Sequence, residues 1–115
     1  MLPRSRRLSR TAFDLIRTST LLVSNPSASL RFQCRRGTVP GRFSVVVPRA
    51  VDSRAVVRNR WRRRTYRIIQ QTAGLEGIDG IFYIRKSKIN SYALIAPSIQ
   101  DLLGRAIKRC HTSAP

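Results

Sequence analysis

The chain has 115 residues, 42% of them hydrophobic, enough for one modest core and too short for two comfortable domains. Its 23 Lys and Arg against 5 Asp and Glu leave a net charge of +18, an imbalance that a compact fold tolerates mainly when its partner is anionic. No apolar run reaches the ~18 residues of a spanning helix, which points to a soluble protein, and few scattered acids with one histidine argue against a self-contained nuclease or phosphotransferase.

Arg4, Arg6, Arg7 and Arg10 lead into a short helical pattern. Ala12, Phe13 and Ile16 share one side of it, which predicts a first helix near Ser9 to Thr18. The Arg- and Ser-rich segment Met1 to Ser19 also has the composition of a mitochondrial transit peptide, but the domain needs its helix. Asn25 to Ser29 reads as a loop, after which Leu30, Phe32 and Cys34 alternate with Arg31, Gln33 and Arg35, the period of a strand with one buried face. Gly37 to Gly41 makes a turn into Phe43–Val47, an apolar β-branched run that suits a central strand and stops at Pro48. A hairpin of these two strands follows from their order.

Six arginines fall within Arg58 to Arg67, yet Val57, Trp61, Thr65 and Ile68 keep the spacing of one helical stripe. This predicts a helix capped by Asp52 or Ser53 and running to about Thr72, with Trp61 in the core, Arg60, Arg63 and Arg67 on a neighbouring face, and Arg58 and Arg62 as flanks. Arginine outnumbers lysine 20 to 3, and a planar guanidinium forks onto phosphate or stacks on a base, so RNA fits better than an anionic membrane surface. Gly74 and Gly77 release the chain in a connecting loop that lacks the Lys-Ser/Thr ending of a phosphate-binding loop. Ile78 to Ile84 is a further strand. Ile99, Leu102, Leu103, Ala106 and Ile107 form a last helical stripe, with Pro97 and Ser98 near its start, Asp101 placed to support a cap, and a beginning that could lie as early as Ser91.

The order is helix, strand, strand, helix, strand, helix, an α+β arrangement of one small three- to four-stranded sheet against helices. Residues 1–115 form a single domain, with 1–8 and 110–115 as flexible tails. Cys34 and Cys110 stand far apart with only His111 as a nitrogen ligand, so neither a disulfide framework nor a zinc site is expected, and a reducing compartment is. The five acids are scattered, and the two that stand three apart, Glu76 and Asp79, fall in the loop and strand after the arginine helix and not on one helical face.

Ala55-Val56-Val57-Arg58-Asn59-Arg60, followed by Arg63-Arg64 and Arg67, resembles the Arg-Asn-Arg signature of the protein component of bacterial ribonuclease P. The likeness extends upstream through Phe43-Ser-Val-Val-Val47 and Pro48-Arg49-Ala50-Val51, and downstream to Ile69. It implies an accessory subunit of a cytoplasmic ribozyme that removes the 5′ leader from precursor tRNA. The RNA subunit and its Mg2+ would perform the hydrolysis, with no catalytic residue on this chain. Arg58, Asn59, Arg60, Arg63, Arg64 and Arg67 would contact the catalytic RNA. Phe13, Arg17 and Arg49 would face the leader in a cleft between the sheet and the first helix. The family fold, of the ribosomal protein S5 domain 2-like kind, carries a left-handed β-α-β crossover, expected here between Phe43–Val47 and Ile78–Ile84. No membrane and no obligate protein partner are implied.

This sequence departs from the family pattern near the leader. Arg17 stands four residues after Phe13, where the family often has a second aromatic. Asp52-Ser53-Arg54 replaces the glycine often found before the signature helix, and the basic pair after the strand is reduced to Arg49-Ala50. The competing reading is a small basic ribosomal or other structural RNA-binding protein with no role in tRNA processing.

Overall fold

The computed structural model describes residues 6–35, 40–86 and 95–112. Its elements are α1 (Arg10–Ile16), β1 (Leu22–Ser24), β2 (Ala28–Cys34), β3 (Arg42–Val46), α2 (Ala55–Gln70), β4 (Ile78–Ile84) and α3 (Ile95–Thr112). The α+β class and the expected sequence of major elements hold. Ser9 caps α1, its hydroxyl accepting from Ala12 N at 3.1 Å.

The strand order is β1-β2-β4-β3, with β2 antiparallel and β3 parallel to β4. The expected hairpin of β2 and β3 is therefore not formed, and β3 is an edge strand instead of a central one. Burial explains both outcomes. Along β4 only Tyr83 escapes full burial, so this strand needs cover on both faces and a neighbour on each side, whereas β3 alternates buried and half-buried residues. Gly80 lets those neighbours close in, since a Cβ there would meet Leu30 Cδ1 at 2.7 Å and Phe43 Cε1 at 3.1 Å. β1 is an additional short strand, turned onto β2 at Asn25, whose Oδ1 accepts from Ser27 N and Ala28 N, both at 3.0 Å.

The main core lies on the α2 and α3 side. Ala28, Leu30, Phe32, Phe43, Val45, Ile78, Phe82 and Ile84 of the sheet meet Trp61, Ile68 and Ile69 of α2 and Ile99, Leu102, Leu103 and Ala106 of α3. Each large aliphatic side chain so buried contributes ~1.5–3 kcal/mol. α1 crosses β2 and β4 on the opposite face, where Ile16 and Ile81 are buried apart from that core. Arg31 Nη1 donates to the Ser19 carbonyl, and Ser19 Oγ donates to Phe32 O at 2.7 Å, fixing the end of α1 onto β2.

Cys34 and Cys110 form a disulfide, with Cα atoms 5.5 Å apart, against the expectation of free thiols. A separation of 76 residues hides a contact that the fold creates, because the end of β2 lies under the last turns of α3. The inference of a reducing compartment loses its premise. α3 runs through Thr112, past the point where fraying is expected, and Cys110 ties that end down. At the other terminus Arg7 pairs in parallel with Phe43, so the residues just before α1 continue the sheet instead of forming a loose tail. Asp101 supports no cap. Its carboxylate lies 3.0 Å from Arg105 Nη2 and accepts from Asn25 Nδ2 at 3.3 Å, holding the β1–β2 turn to α3. Gly74 and Gly77 take φ of 84° and 78°, left-handed values that end the α2 connection as expected. Gly37 and the stretch around Ser91 fall outside the described residues.

Candidate nucleic-acid interface

The signature helix divides its residues as the sequence pattern requires. Trp61 and Thr65 are buried and Val57 packs against the core, with Thr65 Oγ1 donating to Trp61 O at 2.9 Å. Arg60, Arg63 and Arg67 are exposed, while Arg58, Arg62 and Arg64 are half-buried. Trp61 is thus a core residue and not a stacking platform.

Neither Asp52 nor Ser53 caps the helix. Arg54 occupies that position without a side-chain capping bond, because Asp52 is turned onto Arg54 instead: Oδ1 accepts from its backbone N at 2.8 Å and Oδ2 accepts from its Nη2 at 3.0 Å. The Arg54 side chain and then its backbone N–H hold the Asp52 carboxyl down to about 2 and raise the Arg54 pKa in return. Arg58 serves the same lead-in, its Nη1 donating to the carbonyls of Asp52 at 3.1 Å and Ser53 at 2.8 Å.

Acids do not reach the outward row. Asp14 pairs with Arg17, Asp52 with Arg54, Asp101 with Arg105, and Asp79 with Arg35 and Arg42. Among the described residues, the side chains of Arg60, Arg63 and Arg67 make no hydrogen bond or ion pair. At ~1.5 Å of rise per residue they span about 10 Å of helix axis, a length that follows roughly three phosphates of one strand.

The nominated leader residues are divided. Phe13, half-buried, and Arg17, exposed and 3.5 Å from Asp14, share α1. Arg49 is exposed in the turn after β3, and no hydrogen bond or ion pair among the described residues joins it to α1. Register adds residues that sequence reasoning missed: Arg31, Ser44, Val46 and Tyr83 all lie on the sheet face crossed by α1. Their period of two was visible, but which face remained uncovered was not.

The Ribonuclease P family model matches residues 2–107. The chain belongs to the ribonuclease P protein family. No curated protein matches it. The fold is similar to the RNase P protein of Staphylococcus aureus, with a TM-score of 0.75 at 20% identity over 90% of this chain and 96% of that one. It is also similar to the RNase P protein of Thermotoga maritima, with a TM-score of 0.73 at 23% identity over 86% of this chain and 96% of that one. Ribonuclease P membership makes the chain a protein subunit of a tRNA-processing ribonucleoprotein and implies association with its RNA. The competing ribosomal reading gains nothing from the comparisons. No helix among the described residues is long and apolar enough to cross a membrane.

Proposed function

We propose that this chain is the cationic grip of the ribonuclease P particle, and that cutting is done by the RNA subunit. α2 faces that RNA through Arg60, Arg63 and Arg67, with Asn59 and Arg64 beside them, while Arg58 mainly holds the helix lead-in. The single observation that carries this reading is a row of three guanidinium groups on one exposed helix face that no carboxylate reaches, while four of the five acids are engaged by arginines elsewhere. The groove between α1 and the sheet receives the single-stranded leader of precursor tRNA. There Phe13 supplies a stacking surface, and Arg17 and Arg49 supply charge to the phosphates. A cytoplasmic setting, where transcripts are made, suits that role.

The residues of this chain do not fit a Mg2+ site. Among those described, no three His, Cys, Asp or Glu side chains converge, and four of the five carboxylates are engaged by arginine. The magnesium implied by the family resemblance is therefore assigned to the RNA subunit and its substrate.

Cleavage of precursor tRNA by the cognate catalytic RNA at low Mg2+, with and without the protein, tests the division of labour. Acceleration by the protein, and no cleavage by the protein alone, is the expected outcome. Cleavage without RNA, or no acceleration, overturns it.

A further inference from the structure

On the outward side of α2 lies an open cleft of about 230 Å³ lined by Asn59, Arg62, Arg63 and Tyr66. Spaced three, four and seven residues apart, these side chains share one face of the helix. They supply a phenol ring, an amide and two guanidinium groups, and three of the four are held in place by the protein. Tyr66 is half-buried, and its hydroxyl accepts from the N–H of Val45 at 3.2 Å, which fixes the ring against the sheet and occupies a donor that the edge strand would otherwise leave open. Asn59 Oδ1 accepts from Arg62 Nη1, which orients both the amide and the guanidinium plane and leaves the Asn59 N–H donors for an acceptor. Arg63 is exposed and has no partner among the described residues.

An aromatic ring, a planar cation, a pair of amide donors and an uncommitted guanidinium together match a nucleotide. The base stacks, its polar edge accepts, and its phosphate meets Arg63. A duplex does not enter so small a cleft, and a lipid headgroup presents no planar base to stack between the ring and the guanidinium. We propose that this cleft receives a single unpaired nucleotide of the ribonuclease P RNA, with Tyr66 and Arg62 as its stacking walls. The proposal rests on the reading that α2 faces the RNA subunit, and it adds to that face a contact specific for an unstacked base.

The test is binding of the full-length protein to the cognate RNA subunit across a salt series, with chemical probing of base reactivity in each complex. Tyr66→Leu is expected to weaken binding about ten- to hundredfold without altering the salt slope, since stacking is lost and no phosphate contact is. One nucleotide protected in the wild-type complex becomes reactive, and Tyr66→Phe preserves both affinity and protection. Should Tyr66→Leu fail to fold cooperatively, Arg62→Gln reads the same cleft and exposes the same nucleotide. Unchanged affinity and unchanged probing in these variants, with wild-type binding intact, overturn the cleft alone. Saturable binding of a free nucleoside monophosphate that RNA does not displace overturns its assignment to RNA. Absence of wild-type binding overturns the underlying reading as well.

Discussion

Two groups of arginines in this molecule behave in opposite ways. Arg35 and Arg42 converge on Asp79, whose side chain is only 3% exposed. Arg42 donates from Nη2 to Oδ2 at 2.7 Å and from Nε and its backbone N to Oδ1 at 3.2 Å, and Arg35 Nε lies 2.8 Å from Oδ2 outside hydrogen-bond alignment. Those bonds to Asp79 raise the Arg42 pKa against the opposing effect of burial. Arg60, Arg63 and Arg67 have the same side chain and no such partner. Position decides the difference: β3 and β4 bring Arg42 opposite Asp79 in register, whereas the exposed side of α2 faces no acid-bearing element. The net charge alone would have assigned every arginine to the ligand.

That contrast can be broken by measurement. Among the largest expected effects on stability is that of Asp79→Ala, which leaves two arginines facing a vacated buried position and should cost about 3 kcal/mol, after allowance for their partial exposure. A urea midpoint measures it, and RNA affinity of the folded protein should be unchanged. Replacing Cys34 and Cys110 by Ser should cost about 2–4 kcal/mol, because a bridge over a long loop restricts the unfolded chain. RNA affinity should again hold, since the bond joins β2 to α3 and not to α2. The smallest effect concerns Asp52. Its folded pKa lies below the ordinary value, so its contribution is complete above about pH 4 and is lost as pH falls through about 2. Acid unfolding of wild type and Asp52→Asn should differ slightly above that window and converge below it. A large difference would mean that the exposed Asp52–Arg54 pair holds more of the α2 lead-in than its geometry supports.

Periodicity made α2 legible, because Val57, Trp61, Thr65 and Ile68 recur at the helical repeat whatever surrounds them. It made β4 legible as well, through a run dense in Ile, Phe and Tyr after Gly77. Pairing was another matter. Chain order favours neighbours, so β2 and β3 read as a hairpin until β4 is seen to need both of its edges covered. β1 is three residues long, too short for any period to register. The cap residues were misjudged because Asp52 and Ser53 have the right chemistry, while a side chain two residues on competes for the Asp52 carboxylate. The disulfide, the Asp79 cluster and the bond from Val45 N to the Tyr66 hydroxyl all join segments distant in sequence or in separate elements, and spacing carries no record of them. The outward arginines of α2 were legible as a group, but the separate duty of Arg58 at the helix lead-in required coordinates.

The salt dependence of RNA-subunit binding tests the central claim most directly, comparing Arg60→Ala/Arg63→Ala/Arg67→Ala with Arg17→Ala/Arg54→Ala/Arg105→Ala. Both variants remove equal charge, one set unpaired and the other paired with acids. The first should lower the slope of log affinity against log salt by roughly 2 to 3 with little change in melting temperature, and the second by well under 1. Equal reductions in the two variants would contradict the account, because net charge and not the unpaired face of α2 would then govern binding.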